Sequence, residues 1–342
     1  MSSLRKVGYA FGALAAGATA CVPTRAAGGA ASDVTAANDT PVAWLASSNR
    51  VVFRRVLKSF NGDVATTACA LTGIYSVAPT DSPSGEEEVR VGGVMCDAVW
   101  QEDHLALSPD ARYLVHTRFG PHGELMRLDL NDLTQSAIAR SCSAPSASPS
   151  WAPGGGMIAF ASLCDRPDEL PALHIVLADG TREWAVGGPG DSAGDATPTW
   201  APDGRRLAFA RSRPSQSDIV TIDTGGTIER VVGPGFSPAW SPTGEWIAVL
   251  SASQVSQERR SIVLIRPDGS DRRVLLDASD ARLPAEPNGL GRIVGPLVWA
   301  PGGNAVAFAY ADAVWIVSLE GPSLRRLTRG TPPARGSADD PK

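Results

Sequence analysis

The sequence is poor in histidine, with four residues in 342, and it has no run of basic residues. The last histidine is His174, so no residue after it supplies an imidazole to serve as a general base or metal ligand. Acidic residues outnumber basic ones, 36 against 31, giving a formal net charge of −5. A mildly acidic chain without a basic stripe argues against nucleic acid as a partner. No long apolar run follows residue 20. The segment before it, with Arg5 and Lys6 ahead of the small apolar run Val7 to Ala20, reads as a secretory leader rather than a membrane span. Its removal takes away two positive charges, so the remaining chain carries −5 − 2 = −7.

What the sequence has in abundance is a repeat. Taking Trp200 as the anchor, Pro202 follows at +2, Gly204 at +4, Leu207 at +7, Ala208 at +8 and Phe209 at +9. Trp151 has Pro153, Gly155, Ile158, Ala159 and Phe160 in the same places. Trp240 has Pro242, Gly244, Ile247, Ala248 and Val249; Trp299 has Pro301, Gly303, Val306, Ala307 and Phe308. Two copies are weaker. Trp44 keeps Val51 and Phe53 but has Ala46 and Ser48 for Pro and Gly, and Leu107 replaces the Trp ahead of Pro109, Ala111, Leu114 and His116.

Pro at +2 presets φ for a tight turn and Gly at +4 supplies the positive φ that closes it, so two strands are joined as a hairpin. The strand after the turn alternates large apolar residues with Ala, which lets a neighbouring sheet approach. Third and fourth strand-like runs complete each unit, as in Asp218 to Ile222 followed by Arg230 to Val232. Six units of about 40 to 60 residues suit four-stranded blades, and the fold class predicted is an all-β, six-bladed β-propeller over residues 41–328.

The core Trp-Ser/Ala-Pro-x-Gly-x-x-Ile-Ala-Phe, with Ser148-Pro149, Thr197-Pro198 or Ser237-Pro238 just ahead of the Trp, resembles the repeat of TolB-like propellers. That resemblance implies the fold and says little about activity, because such repeats occur in scaffolds, peptidase accessory domains and lyases. It covers the propeller only. The residues ahead of it leave no room for the α/β domain of the family's namesake, so a Tol-Pal role is not carried over. Residues 21–40, rich in Ala, Gly, Ser and Thr, read as a flexible tether, and residues 329–342 as a disordered tail.

Ala18-Thr19-Ala20-Cys21 is similar to a bacterial lipobox, which makes Cys21 the expected lipidation site; cleavage after the Ala-x-Ala triplet leaving a free thiol is the alternative. Four cysteines remain, an even number in a chain expected to be exported. Cys69, Cys96, Cys142 and Cys164 all fall in B-to-C or D-to-A connections on one face of the expected disc. Neighbours in sequence are neighbours in space there, so the expected disulfides are Cys69 with Cys96 and Cys142 with Cys164. Long insertions collect on the same face, at 54–68, 164–171, 251–260 and 279–296, which marks it as the expected working face.

Residues that could carry chemistry do not assemble into a catalytic set. Gly190-Asp191-Ser192-Ala193-Gly194 has nucleophile-elbow spacing, but it lies between two strands and no histidine follows it. Asp103, His104 and His122 are the nearest approach to a metal set, while His116 stands at a core position of the repeat and His174 within a strand. No catalytic residue, metal or cofactor is assigned. The expectation is a monomeric, lipid-anchored, non-catalytic binding or scaffold module of the bacterial cell envelope with a protein partner; the competing classes are an enzyme, lyase or hydrolase, and a small-ligand sensor at the channel mouth.

Overall fold

A computed structural model describes residues 37–328 except 58–69, 80–87, 96–104, 119–123, 141–146, 163–169, 187–192, 215, 228, 253–259, 278, 285–291 and 322. All five cysteines, and with them the expected lipid anchor and both expected disulfides, lie outside these residues, as do the leader and the C-terminal tail. The described chain forms six four-stranded antiparallel sheets, each made of four consecutive strands A to D, which are the blades of a six-bladed β-propeller.

The repeat acts as its residue types require. In blade 4, Ala201 N–H donates to the Arg206 carbonyl and Gly204 N–H to the Ala201 carbonyl, at 2.9 Å each, closing the A-to-B turn. Gly155, Gly204, Gly244 and Gly303 all stand at φ between 67° and 77°, where a β-carbon would be strained. In blade 2 the same position is Ala111, held at φ 59° without that relief. In blade 1, Asn49 takes the positive φ one residue later, at 46°, and its Oδ1 accepts the Trp44 indole N–H at 2.9 Å.

Strand B of each blade is buried on both sides, and the two sides meet different neighbours. Leu207 and Phe209 pack back onto Ala152 and Ala159 of blade 3, while Ala208 and Ala210 receive Trp240, Ile247 and Val249 of blade 5. The large residues of one blade thus sit on the alanines of the one before it, which accounts for the alternation read from the sequence. The ring closes by the same rule. Val51, Phe53 and Val77 of blade 1 pack on Ala300, Ala305 and Ala307 of blade 6, so each blade keeps its own four strands and none is shared.

The anchor tryptophans also tie blades together with polar bonds. Trp151 donates its indole N–H to the Ala106 carbonyl at 3.2 Å, Trp200 to Ser150 at 3.0 Å and Trp299 to Ala239 at 2.8 Å. Each acceptor is the residue just before the preceding blade's anchor. Trp240 departs from this pattern and donates to its own turn at Gly244, 3.4 Å away.

Strand A of blade 1 spans Ala37–Leu45 and so reaches into the last residues of the stretch read as tether. Asp39 explains the reach: it is buried and accepts both guanidinium bonds of Arg55, at 2.7 and 2.6 Å. Blade 4 repeats the arrangement with Asp195 and Arg211, at 2.7 and 2.9 Å, both side chains almost fully enclosed. A bidentate pair satisfies both ions and fixes the ends of strands A and B in register.

Candidate functional site

Among the described residues, the central channel and a cleft between two blades leave room for something other than the chain itself. The cleft, between blades 4 and 5, holds about 500 Å³. It lies on the face of the A-to-B and C-to-D turns, walled by Arg206, Thr221, Asp223 and Arg230 of blade 4 and by Glu245, Arg266 and Asp268 of blade 5. The turn chemistry builds the walls. Asp268 Oδ1 accepts the N–H and the hydroxyl of Ser270, at 2.9 and 2.6 Å, which holds its carboxyl below the ordinary range. The Arg206 guanidinium lies 5.0 Å from the Trp240 ring centre, and Arg266 lies 4.0 Å over Trp246, whose other neighbour is Arg273 at 4.4 Å. Stacking on indole orients these planar cations, whose N–H groups meet Asp203 Oδ2 from Arg206, at 3.3 and 3.1 Å, and the Glu245 carbonyl from Arg266, at 3.3 Å. Arg266 also reaches the exposed Glu245, at 3.6 Å.

The equivalent groove between blades 2 and 3 holds only about 220 Å³. The reason is one side chain. Val115 pairs with Arg127 across strands B and C of blade 2, as Ala208 pairs with Thr221 in blade 4, so Arg127 and Thr221 occupy the same repeat position. Arg127 crosses to blade 3 and donates to the Ala178 carbonyl, and its guanidinium stacks 4.9 Å from the Tyr113 ring centre. Thr221 is too short to cross. At the blade 4–5 cleft no side chain crosses from this position; Arg230 of strand D reaches the Asp268 carbonyl of blade 5 instead, at 3.5 Å.

The second place is the central channel. Leu105, Ser148, Pro149, Thr197, Pro198, Ser237, Pro238, Pro296 and Leu297 surround a cavity of about 70 Å³. Ser148, Thr197 and Ser237 stand three residues before the anchors of blades 3, 4 and 5, at φ 54°, 51° and 47°, each directly ahead of a proline. Left-handed backbone is unfavourable for a side-chain-bearing residue, most of all a β-branched one. Each such residue costs about 1–3 kcal/mol, which the surrounding ring must offset. The bulges they create re-aim strand A: register shifts fall at Ala159/Ala161, Ala196/Thr199 and Phe236/Ala239.

With this geometry in place, comparison with solved structures is informative. A protein assigned as TolB from Agrobacterium tumefaciens superposes with a TM-score of 0.53 at 19% identity, over 71% of this chain and 84% of that one. TolB from Acinetobacter baumannii gives 0.54 at 13% identity, over 86% of this chain and 66% of that one. The chain has the TolB propeller fold. An oligogalacturonate lyase from Vibrio parahaemolyticus matches as well, at 0.53 and 12% identity over 86% of this chain and 79% of the lyase, so the TolB fold does not by itself choose an activity. The chain spans 66% of the Acinetobacter protein's length. No family model and no curated protein sequence matches it.

The residues singled out in the sequence distribute unevenly over this fold. Trp151, Trp200, Trp240 and Trp299 are buried, Leu107 stands at the same repeat place in blade 2, and Trp44 is only half-buried. His116 is buried at its core position in strand B of blade 2. His174 is buried in strand C of blade 3, where its Nδ1 lies 2.9 Å from Glu183 and its ring against Phe160. Asp103, His104, His122 and residues 190–192 lie outside the described residues, as do most of the long loops. Among the described residues no group of three or more His, Cys, Asp or Glu converges on a metal position. Thr221, Arg230 and Arg266 were not singled out from the sequence as site residues, and Thr197 only as part of the repeat signature. Thr221 becomes visible only when the C strands are aligned and Arg127 is seen to hold the same place.

Proposed function

We propose that this chain is an exported, lipid-anchored binding module of the bacterial cell envelope, and that a protein partner docks at the blade 4–5 cleft, on the turn face rather than on the long-loop face expected from the sequence. One observation carries the proposal: a preformed cleft of about 500 Å³ lined by both guanidinium groups, of Arg206, Arg230 and Arg266, and carboxylates, of Asp223, Glu245 and Asp268. Such a wall suits a partner surface of complementary mixed charge. It contributes orientation and association rate more than raw affinity, and the flat turns around it allow contact to spread over a standard interface. The leader and Cys21 support export and anchoring, since two or more acyl chains suffice for stable membrane attachment.

Arg230→Glu combined with Arg266→Glu is expected to weaken association with the partner at least tenfold in photo-crosslinking from envelope extract, with the melting temperature nearly unchanged. Charge reversals in the 54–68 and 251–260 loops serve as the comparison. Loss of association from the loops alone would place the working surface on the opposite face. Cys21→Ser is expected to move the protein from the membrane to the soluble envelope fraction. An enzyme opening at the channel mouth is the competing class; a turnover abolished by His104→Ala would favour it.

A further inference from the structure

The cleft between blades 4 and 5 contains a stack of side chains that stops one member short of its counterpart. At the +6 place of the repeat, Tyr113 of blade 2 lies 6.5 Å from the Trp151 ring of blade 3, and Arg206 of blade 4 lies 5.0 Å from the Trp240 ring of blade 5. In blade 2 the stack goes on, because the Arg127 guanidinium lies 4.9 Å from the Tyr113 ring centre. In blade 4 the place of Arg127 is held by the short Thr221, and 48% of the Arg206 side chain is exposed. The edge of Arg206 is already used: Nε and Nη2 both donate to Asp203 Oδ2, at 3.3 and 3.1 Å, and such bonds lie close to the guanidinium plane. One flat side rests on Trp240, so the other flat side is what Arg206 presents to the cleft it lines.

We propose that the cleft takes an aromatic side chain, its ring stacked on the open flat side of Arg206; that the protein partner supplies the ring rests on the docking reading. A guanidinium is drawn to the face of a ring by cation–π attraction and by plane-on-plane contact. The chain itself uses this pairing on both sides of a ring's worth of cations: Trp246 carries Arg266 at 4.0 Å and Arg273 at 4.4 Å, and Tyr113 carries Arg112 and Arg127 at 4.9 Å each. A partner arginine in copy of Arg127 would instead set one cation on another, and an aliphatic side chain would meet Arg206 with area alone. Aromatic side chains seated in pockets also carry a large share of binding energy at protein interfaces. Thr221, by its shortness, leaves the ring the place that Arg127 fills in blade 2.

The test is NMR of the arginine Nε–H groups in the full chain, titrated with N-acetyl-tyrosine amide and, as controls without a ring, with the leucine and arginine amides. A ring lying on a guanidinium moves its protons upfield, so the Arg206 Nε–H signal is expected to shift upfield saturably with the tyrosine compound and not with the other two. Arg206→Met, which keeps the length and removes the cation, is expected to weaken binding of the tyrosine compound about fivefold, read from the probe's own saturation-transfer signal. Should that variant fail to fold, Thr221→Arg serves, since it fills the place and is expected to abolish the shift. No saturable shift in the wild type, an equal shift with the leucine or arginine compound, or equal binding by folded Arg206→Met would each overturn the ring subsite. A photo-crosslinking residue at position 245 separates this outcome from the docking reading. An envelope-protein adduct without the Arg206 shift overturns the ring and leaves the docking; a shift without an adduct keeps the ring subsite and overturns its assignment to a protein partner.

Discussion

The clefts at the blade 2–3 and blade 4–5 boundaries share a backbone and differ in what fills them. At the first, Arg127 leaves its own blade, stacks on Tyr113 and ends on the Ala178 carbonyl, so the protein occupies its own groove. At the second, Thr221 stays within its blade, Arg206 pairs with Asp203 of its own turn, and the contact across is a longer one, Arg230 to the Asp268 carbonyl at 3.5 Å. The repeat thus separates two tasks. Positions facing the neighbouring blade, such as Phe160 and Phe209, are kept buried by packing and are Phe in four of the six blades, whereas positions at the rim vary in length and charge.

The comparison can be broken most severely at an anchor. Trp151 lines the blade 2–3 groove and donates to Ala106, so Trp151→Ala removes a large buried ring and an inter-blade bond together. A loss of about 3–5 kcal/mol is expected in denaturant melts. A loss under about 1 kcal/mol would mean that the anchor is not holding the boundary. Arg127→Thr should then open the blade 2–3 groove to resemble the other at a loss of about 2 kcal/mol, from a charge-assisted hydrogen bond and a half-exposed stack. An unchanged melting curve would show that the crossing arginine is not what closes the groove.

Smaller effects sharpen the contrast between the turns beside the two clefts. Gly204→Ala places a β-carbon at φ 67° with open space around it, so strain alone acts and a loss of about 1–2 kcal/mol is expected. Ala111→Gly, at φ 59° in blade 2, should do the reverse and stabilise by up to about 1 kcal/mol, despite the added freedom of glycine in the unfolded chain. Equal signs for the two substitutions would contradict the turn assignment.

The smallest effect is shared by both clefts. Asp110 is held below its usual range first by the Ser108 hydroxyl and then by the Arg112 N–H, and Asp268 by the corresponding groups of Ser270. A carboxyl whose folded pKa is depressed contributes stability that is complete above its unfolded value near 3.8 and is lost as pH falls through the folded value. The stability deficits of Asp110→Asn and Asp268→Asn should therefore be constant from pH 7 down to about 5 and shrink below about 4. A deficit that grows in acid would contradict the turn roles.

Much of this was legible in the sequence because the repeat states its geometry in residue types. Pro and Gly at fixed offsets from Trp200 mark the turn, and the Leu-Ala-Phe alternation marks a strand enclosed on both sides, so blade number and strand count follow. Three things were not legible. The indole bonds of Trp151, Trp200 and Trp299 depend on how far one blade leans over the next. The start of strand A at Ala37 depends on Asp39 meeting Arg55, a contact between residues whose neighbours look like linker. That no side chain crosses the blade 4–5 cleft from strand C depends on Thr221 lacking what Arg127 has, and a short polar residue in a strand carries no signal until its counterpart is known. The channel hydroxyls were visible as Ser148-Pro149, Thr197-Pro198 and Ser237-Pro238, but only as a family signature; their convergence on one cavity needed the ring.

Thr221→Arg tests the central claim most directly, since it gives the blade 4–5 cleft the side chain that closes its counterpart while leaving the charged rim in place. With a photo-crosslinking residue at position 245, the wild type is expected to form a discrete adduct with an envelope protein. The arginine variant, folded and melting at or above the wild-type temperature, is expected to lose up to about nine-tenths of that adduct with the partner kept below saturation, as an association weakened about tenfold implies. An adduct of undiminished yield from a folded Thr221→Arg protein would show that the open cleft is not where the partner binds.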